Sequence, residues 1–139
     1  MPTVLILDDE EGLLKLLAVF LKRSGYLVLP CSSTASALER FQELDGAIDL
    51  LIADVALGAD SGVEVAMQLK AISPNLACLF ISGYPFNSWS ARNTLLFGEW
   101  PPDSVRVLQK PFSSYDLLNM VDELHRPAKG RFSSGSAAG

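Results

Sequence analysis

Five polar residues lie at the ends of apolar runs in this sequence, and their types suit metal and phosphate chemistry. The residues are Asp8, Asp9, Asp54, Ser82 and Lys110. Residues that end successive parallel strands meet along one edge of a sheet, where such folds bind ligands. Three crowded carboxylates repel one another unless a cation lies among them. Oxygen ligands without a nearby His or Cys favour Mg²⁺ or Mn²⁺ over zinc.

The same group of residues could accept a phosphoryl group on an Asp carboxylate. The oxygens of a phosphoryl group need neutralising, and a metal, an ammonium and a hydroxyl can do this together. Lys110 and Ser82 are the candidates for the ammonium and the hydroxyl. Taken singly, each residue is more typical of strand ends, turns or the surface. Their joint placement favours function.

The elements that must position these residues alternate along the chain. Short apolar runs separated by segments of helical period predict a three-layer α/β fold with helices on both faces of a parallel sheet. The predicted strands cover residues 3–8, 27–29, 49–54, 76–82 and 105–109. The predicted helices lie near residues 11–22, 34–44, 65–72, 88–97 and 113–126, and residues 58–62 are predicted to be a loop.

Helical spacing and capping residues predict which side chains face the core. The first helix should bury Leu13, Leu16, Leu17 and Phe20, and the third should bury Val65, Leu69 and Ile72. The last helix should bury Leu117, Val121 and Leu124. Ser32 or Ser33 should cap the second helix, and Ser113 should cap the last.

Composition limits the remaining functions. The 139 residues are 49% hydrophobic, enough for one domain over residues 1–126, and residues 127–139 are predicted to be a disordered tail or linker. A net charge of −5 argues against nucleic-acid binding, and the N-terminus predicts neither a signal peptide nor a membrane anchor, so we expect a cytoplasmic protein. Cys31 and Cys78 are predicted to be buried free thiols, and His125 is given no role.

Four segments together resemble the receiver domain of two-component response regulators, over about residues 3 to 125. They are Val4 to Glu11 (VLILDDEE), Leu51 to Val55 (LIADV), Phe80 to Tyr84 (FISGY) and Gln109 to Phe112 (QKPF). The resemblance implies a flavodoxin-like five-stranded sheet with strand order 2-1-3-4-5. It further implies a signalling module rather than an enzyme.

By the same resemblance, Asp54 is the phosphoacceptor and Lys110 pairs with a phosphoryl oxygen. Ser82 takes the role of the hydroxyl donor. The ligands of Mg²⁺ or Mn²⁺ would be Asp9, Asp54 and the carbonyl of Ala56, with Asp8 acting directly or through water, and the bond before Pro111 would be cis. The implied donor is a phosphohistidine on a sensor histidine kinase or a histidine phosphotransfer protein. Output would pass through a downstream protein or through self-association on the face formed by the last two helices.

Two positions depart from the family pattern. Gly58 lies where many members have a proline, which should loosen the loop without affecting a reacting atom. Val107 lies where members usually carry an aromatic residue, so the coupled movement of hydroxyl and aromatic ring is in doubt. The segment from residue 84 to 104 is rich in aromatic residues. Core packing is the first interpretation of these aromatics, and partner binding is the second.

Three other functions compete with this interpretation. A flavin or nucleotide binder would need a Gly- or Ser/Thr-rich loop after the first strand, where this chain is acidic. A phosphatase with an aspartyl-phosphate intermediate would need an acid two residues after the nucleophile, where this chain has Ala56. The strongest alternative is a protein-interaction module that keeps the receiver fold but signals without phosphorylation.

Overall fold

The computed structural model describes residues 2–125, which form a parallel sheet with helices on both faces. The strands are β1 (Thr3–Leu7), β2 (Leu27–Cys31), β3 (Leu50–Asp54), β4 (Ala56–Leu57), β5 (Asp60–Ser61), β6 (Ala77–Ser82) and β7 (Val105–Gln109). The helices are α1 (Glu11–Arg23), α2 (Thr34–Glu43), α3 (Gly62–Ile72), α4 (Ala91–Gly98) and α5 (Ser114–His125). Short 3₁₀ turns cover Phe86–Ser88 and Pro102–Ser104.

The main sheet has the order β2-β1-β3-β6-β7, and each neighbouring pair is parallel. This is the predicted order 2-1-3-4-5 once the short strands β4 and β5 are set aside, so the predicted fold is confirmed. The two short strands form an antiparallel hairpin after β3. The prediction that residues 58–62 are only a loop was therefore wrong. Two-residue strands are too short to leave a periodic pattern in the sequence.

Alternate residues of the central strands face the two helical layers. On β1, Val4 and Ile6 belong to the core under α1 and α5, while Leu5 and Leu7 belong to the core under α2, α3 and α4. Strands covered on both faces must be apolar throughout, which explains their unbroken hydrophobic runs. The predicted three layers are present.

Two predicted helix faces needed correction. On α1 the buried residues are Leu14, Leu17, Ala18 and Leu21, whereas Leu16 is 48% exposed. Successive leucines satisfy helical spacing in more than one register, so spacing alone did not fix the buried face. Ile72 is 56% exposed because it lies at the last turn of α3, beyond the edge of the layer. The buried set predicted for α5 is confirmed.

Serine side chains start most of the helices, as the sequence predicted for two of them. Ser33 Oγ accepts a hydrogen bond from the Ser36 N–H at 3.1 Å, and Ser113 Oγ accepts one from the Asp116 N–H at 3.0 Å. The helix predicted near residues 88–97 instead begins at Ala91, because Ser90 caps it through the Asn93 N–H. Such caps satisfy backbone donors that the first turn cannot pair.

Some predictions concern residues that the structure does not describe. The tail predicted for residues 127–139 and the end of the last helix near Arg126 lie outside residues 2–125. Within the described part of the chain, no helix is both long and apolar enough to cross a membrane.

A close backbone contact joins α3 to the end of β3. Gly62, the first residue of α3, donates its N–H to the Val55 carbonyl at 3.1 Å. A Cβ atom on Gly62 would lie 2.1 Å from the carbonyl oxygen of Asp54. Only glycine allows the helix to start this close to the strand. The position of Asp54 in the sheet therefore depends on the residue at 62.

Replacing Gly62 by alanine should destabilise the fold, whereas the same change at Gly12 should not. Gly62→Ala places a methyl group against backbone that cannot move independently of β3, and we expect a loss of about 1–3 kcal/mol or more. Gly12, near the start of α1, has nothing within 4 Å of an added Cβ. Gly12→Ala should be neutral or add up to about 1 kcal/mol. Urea unfolding measures both; equal effects would contradict the contact.

Candidate functional site

The sheet brings the three predicted carboxylates together. Asp8 follows β1 and Asp54 ends β3, and these strands are paired in register with Leu7 opposite Ala53. Carboxylate oxygens of Asp8, Asp9 and Asp54 all lie within 4.8 Å of one another. Asp8 and Asp54 are buried, and Asp9 is exposed. Two buried acids and one exposed acid thus lie close together at the carboxyl edge of the sheet.

Lys110 reaches this acidic group from two strands away. It follows β7, whose last residue pairs with Ser82 at the end of β6. Its Nζ atom lies 3.0 Å from Asp54 Oδ2 and donates a hydrogen bond to it. The Lys110 side chain is 28% exposed and that of Asp54 is 9% exposed. Charge-assisted hydrogen bonds of this kind are stronger than neutral ones. The bond from Lys110 to Pro111 is cis, as predicted.

Backbone amides hold the two buried carboxylates in place. Asp8 Oδ1 accepts a hydrogen bond from the Glu10 N–H at 2.8 Å, and Asp54 Oδ1 accepts one from the Ala56 N–H at 3.0 Å. Both bonds are local turns in which an aspartate binds the backbone two residues on. The backbone of each loop therefore orients the carboxylate group of its own aspartate.

One buried oxygen in this site has no hydrogen-bond partner among the described residues. It is Asp8 Oδ2, on a residue that is only 1% exposed. A buried acceptor without a partner is costly, and a bound cation is one way to satisfy it. Together with the other carboxylate oxygens, it forms a set of hard ligands that fits Mg²⁺ or Mn²⁺.

The electrostatics of the site are those of crowded negative charge. Burial, together with the charges of Asp54 and Asp9, raises the pKa of Asp8, although the Glu10 amide and Lys110 oppose this. For Lys110, burial acts to lower the pKa, but the hydrogen bond and charge of Asp54 outweigh it and raise the pKa. Lys110 is therefore a cation at neutral pH, and it offsets only part of the negative charge.

Ser82 lies at the same edge but uses its hydroxyl locally. It ends β6 and is 1% exposed. Its Oγ donates to the Tyr84 carbonyl at 2.5 Å and accepts from the Tyr84 N–H at 3.2 Å. The adjacent carbonyl of Ser82 accepts the Lys110 N–H at 2.8 Å. The hydroxyl lies at the same edge of the sheet as the acids, but its hydrogen bonds are to Tyr84 in its own loop.

The aromatic residues between positions 84 and 104 pack on β6 from the α4 side. Phe80 contacts the rings of Trp89, Phe97 and Trp100, and Trp89 is 6% exposed. The predicted core packing is confirmed for these residues. Val107 packs against the same core, in the position where an aromatic ring was expected from the family. Phe86 and Tyr84 remain exposed.

Sequence reasoning missed the contacts that fix the segment after Asp54. The β4–β5 hairpin, the close approach of Gly62 and the hydrogen bond from Ser61 Oγ to Asn93 Oδ1 at 3.0 Å were not predicted. The only signal in the sequence is Ser61-Gly62 directly before the apolar stripe of α3, which is typical of a helix cap.

Comparison with known proteins agrees with this fold. The sequence pattern of the response regulator receiver domain matches residues 4–122. The response regulator receiver protein CpdR of Brucella abortus is 31% identical over 124 residues, which cover 89% of this chain and 97% of CpdR. The sensor kinase CckA of the same organism is 32% identical over 123 residues, 88% of this chain but only 12% of CckA.

A solved structure shares the architecture. The response regulator TrrA of Thermotoga maritima, in complex with Mg²⁺ and beryllofluoride, superposes with a TM-score of 0.72 at 24% identity, covering 89% of this chain and 99% of that one. At that identity the likeness shows the fold alone.

The doubly wound sheet and its acidic carboxyl edge define a flavodoxin-like protein of the kind that includes receivers. The family match over most of the chain makes the assignment definite: this chain belongs to the response regulator receiver domain family. It is homologous to CpdR and to the receiver of CckA, which is consistent with a phosphoacceptor role in two-component signalling. Receiver domains are generally signalling modules rather than enzymes.

Neutralising Asp8 should stabilise the protein in the absence of metal. Asp8→Asn keeps an oxygen for the Glu10 amide and removes a buried charge next to Asp54 and Asp9. We expect a gain of about 1 kcal/mol in free energy of unfolding at pH 7 with chelator present, a typical single-substitution effect.

The control is Asp60→Asn, which removes an exposed acid on β5 outside this group. It should change stability by less than about 0.5 kcal/mol. Urea unfolding in chelator measures both variants. A loss of stability in Asp8→Asn would contradict the picture of uncompensated negative charge.

Proposed function

We propose that this chain accepts a phosphoryl group on Asp54, with a divalent cation bound beside it. The observation that carries the proposal is the pairing of Lys110 Nζ with Asp54 Oδ2 at 3.0 Å, next to the unpartnered buried oxygen of Asp8. A carboxylate held by an ammonium and bordered by a cation site is arranged for phosphoryl transfer, which depends on positioning and charge neutralisation.

The cation would be held by Asp8, Asp9, Asp54 and the carbonyl of Ala56. The first three supply oxygens within 4.8 Å of one another, and Asp8 Oδ2 has no hydrogen-bond partner in the part of the chain that the structure describes. Mg²⁺ or Mn²⁺ suits this ligand set. When bound, the metal neutralises negative charge on the oxygens of the transferring group. TrrA, which shares the fold, was solved with Mg²⁺ and beryllofluoride.

The chain's own residues then have distinct tasks. An Asp54 carboxylate oxygen attacks phosphorus, and a phosphorus–oxygen bond forms as the phosphorus–nitrogen bond of the donor phosphohistidine breaks. The electron pair of that bond stays on the imidazole. Lys110 pairs with a phosphoryl oxygen, and Ser82 donates its hydroxyl to another after leaving the Tyr84 carbonyl. The Ala56 amide keeps the carboxylate oriented.

The partners follow from the chemistry. The donor is a sensor histidine kinase or a histidine phosphotransfer protein, in line with the similarity to the receiver of CckA. The output passes to a downstream protein or a second copy, in the cytoplasm. Nucleic acid and membrane are not expected partners for a chain with net charge −5.

Phosphorylation by a small donor should depend on Asp54 and on metal. Incubating the protein with acetyl phosphate and Mg²⁺ should add the mass of one phosphoryl group, measured by intact mass spectrometry. Asp54→Asn should show no adduct, because Asp54 is the only carboxylate paired with Lys110 within residues 2–125.

The matched control is Asp60→Asn, which lies six residues away in sequence and outside the acidic group. It should be labelled like the wild type, and chelator should prevent labelling of both. An adduct that persists in Asp54→Asn would place the phosphoacceptor elsewhere.

Mg²⁺ should stabilise the folded protein, and this effect should depend on Asp8. Metal that binds only the native state at about 100 times its Kd adds about 2.7 kcal/mol. The wild type should therefore show a higher Tm with Mg²⁺ than with chelator. Asp8→Asn should lose most of this increase, whereas Asp60→Asn should keep it. An equal increase in all three proteins would rule out the proposed ligands.

One observation favours a second candidate function. Val107 replaces the aromatic residue through which family members are expected to report phosphorylation, and it is half-buried against the core that includes residues of α3. A protein-interaction module that works without phosphorylation would fit this change. It predicts unchanged signalling by Asp54→Asn and Lys110→Ala in cells, whereas the receiver function predicts loss in both.

A further inference from the structure

A hydrogen bond from Ser61, the residue that caps α3, joins the segment after Asp54 to α4. Ser61 Oγ donates to Asn93 Oδ1 at 3.0 Å, and Asn93 is the one residue of α4 whose side chain is buried, at 8% exposure. Burying an amide side chain costs free energy unless the amide is hydrogen-bonded. This bond is therefore partly buried, unlike an ion pair on the open surface.

Ser61 is tied to Asp54 through the hairpin. It ends β5 and pairs directly with Ala56 on β4, and the Ala56 N–H donates to Asp54 Oδ1. The next residue, Gly62, lies against the backbone of Asp54, where an added Cβ would be 2.1 Å from the carbonyl oxygen. Asp54 is thus in direct contact with both ends of the hairpin that carries Ser61.

The hydroxyl of Ser61 is fully used. It accepts the Val63 N–H at 3.1 Å as the cap of α3 and donates to Asn93. A second, exposed contact spans the same helices, from Arg92 Nε to Glu64 Oε1 at 3.2 Å. Exposed ion pairs contribute little to stability, so the partly buried hydrogen bond is the better candidate for coupling the two helices.

We propose that Ser61 and Asn93 are positioning residues that transmit the state of Asp54 to α4. This inference rests on the proposed phosphoacceptor function and goes beyond it. In this chain Val107 cannot swing an aromatic ring, so α4 needs another connection to the site. The Ser61–Asn93 bond provides this connection through the hairpin that follows Asp54.

The experiment is amide NMR of the ¹⁵N-labelled protein, with chelator, with Mg²⁺ alone, and with Mg²⁺ and beryllofluoride. In the wild type, we expect beryllofluoride to shift the amides of Ala56 and Lys110 at the site and those of Ala91–Gly98 in α4. In Asn93→Ala, the site amides should still shift, while the shifts in α4 should fall by at least half.

Matched variants separate coupling from a merely structural role. Asn93→Asp keeps an acceptor for the Ser61 hydroxyl and should restore the α4 shifts. Arg92→Ala removes only the exposed ion pair and should leave them unchanged. Ser61→Ala removes the same hydrogen bond from the other side, together with the cap of α3, and its α4 shifts should fall as they do in Asn93→Ala.

Two results would overturn the proposal in different ways. If the site amides respond and α4 shifts equally in wild type and Asn93→Ala, or not at all in wild type, the coupling is wrong and the phosphoacceptor function stands. If the site amides of the wild type do not respond to beryllofluoride, the proposed function fails and the coupling fails with it.

Discussion

The structure depends on how it accommodates negative charge at the carboxyl edge of its sheet. Asp8 and Asp54 are buried at adjacent strand ends, and Asp9 lies beside them. Lys110 pairs with Asp54 but leaves an oxygen of Asp8 without a partner among the described residues. Burial, together with the charges of Asp54 and Asp9, raises the pKa of Asp8. Crowded negative charge of this kind favours a bound cation, which is the basis of the proposed function.

The rest of the fold serves to hold these charges close. Parallel pairing sets the ends of β1 and β3 side by side, and β7 places Lys110 within reach across β6. Apolar layers on both faces fix the strands, so the charged groups cannot separate by relaxation of the sheet. The contact of Gly62 with Asp54 adds a local constraint on the segment that follows Asp54.

Sequence reasoning predicted the fold and placed the five polar residues at one edge of the sheet, because both features follow from apolar runs and the residues that end them. It failed where two arrangements satisfy the same pattern. Adjacent leucines in α1 fit two helical registers, and only packing shows that Leu14 is buried and Leu16 exposed. It also failed for contacts between elements distant in sequence: nothing local in Ser61 or Asn93 indicates that they meet. For Ser82 it gave the location but not the hydroxyl's partner, Tyr84.

The central claim is that Asp54 receives a phosphoryl group from a phosphohistidine. The most direct test is transfer of radiolabelled phosphate from an autophosphorylated histidine kinase or phosphotransfer protein to this chain, with Mg²⁺ or chelator. We expect metal-dependent transfer of label to the wild type and no transfer to Asp54→Asn. Hydroxylamine should then remove the label, as expected for an acyl phosphate. Failure of label to reach the wild type from donors that phosphorylate other receivers, or label that reaches Asp54→Asn equally, would contradict it.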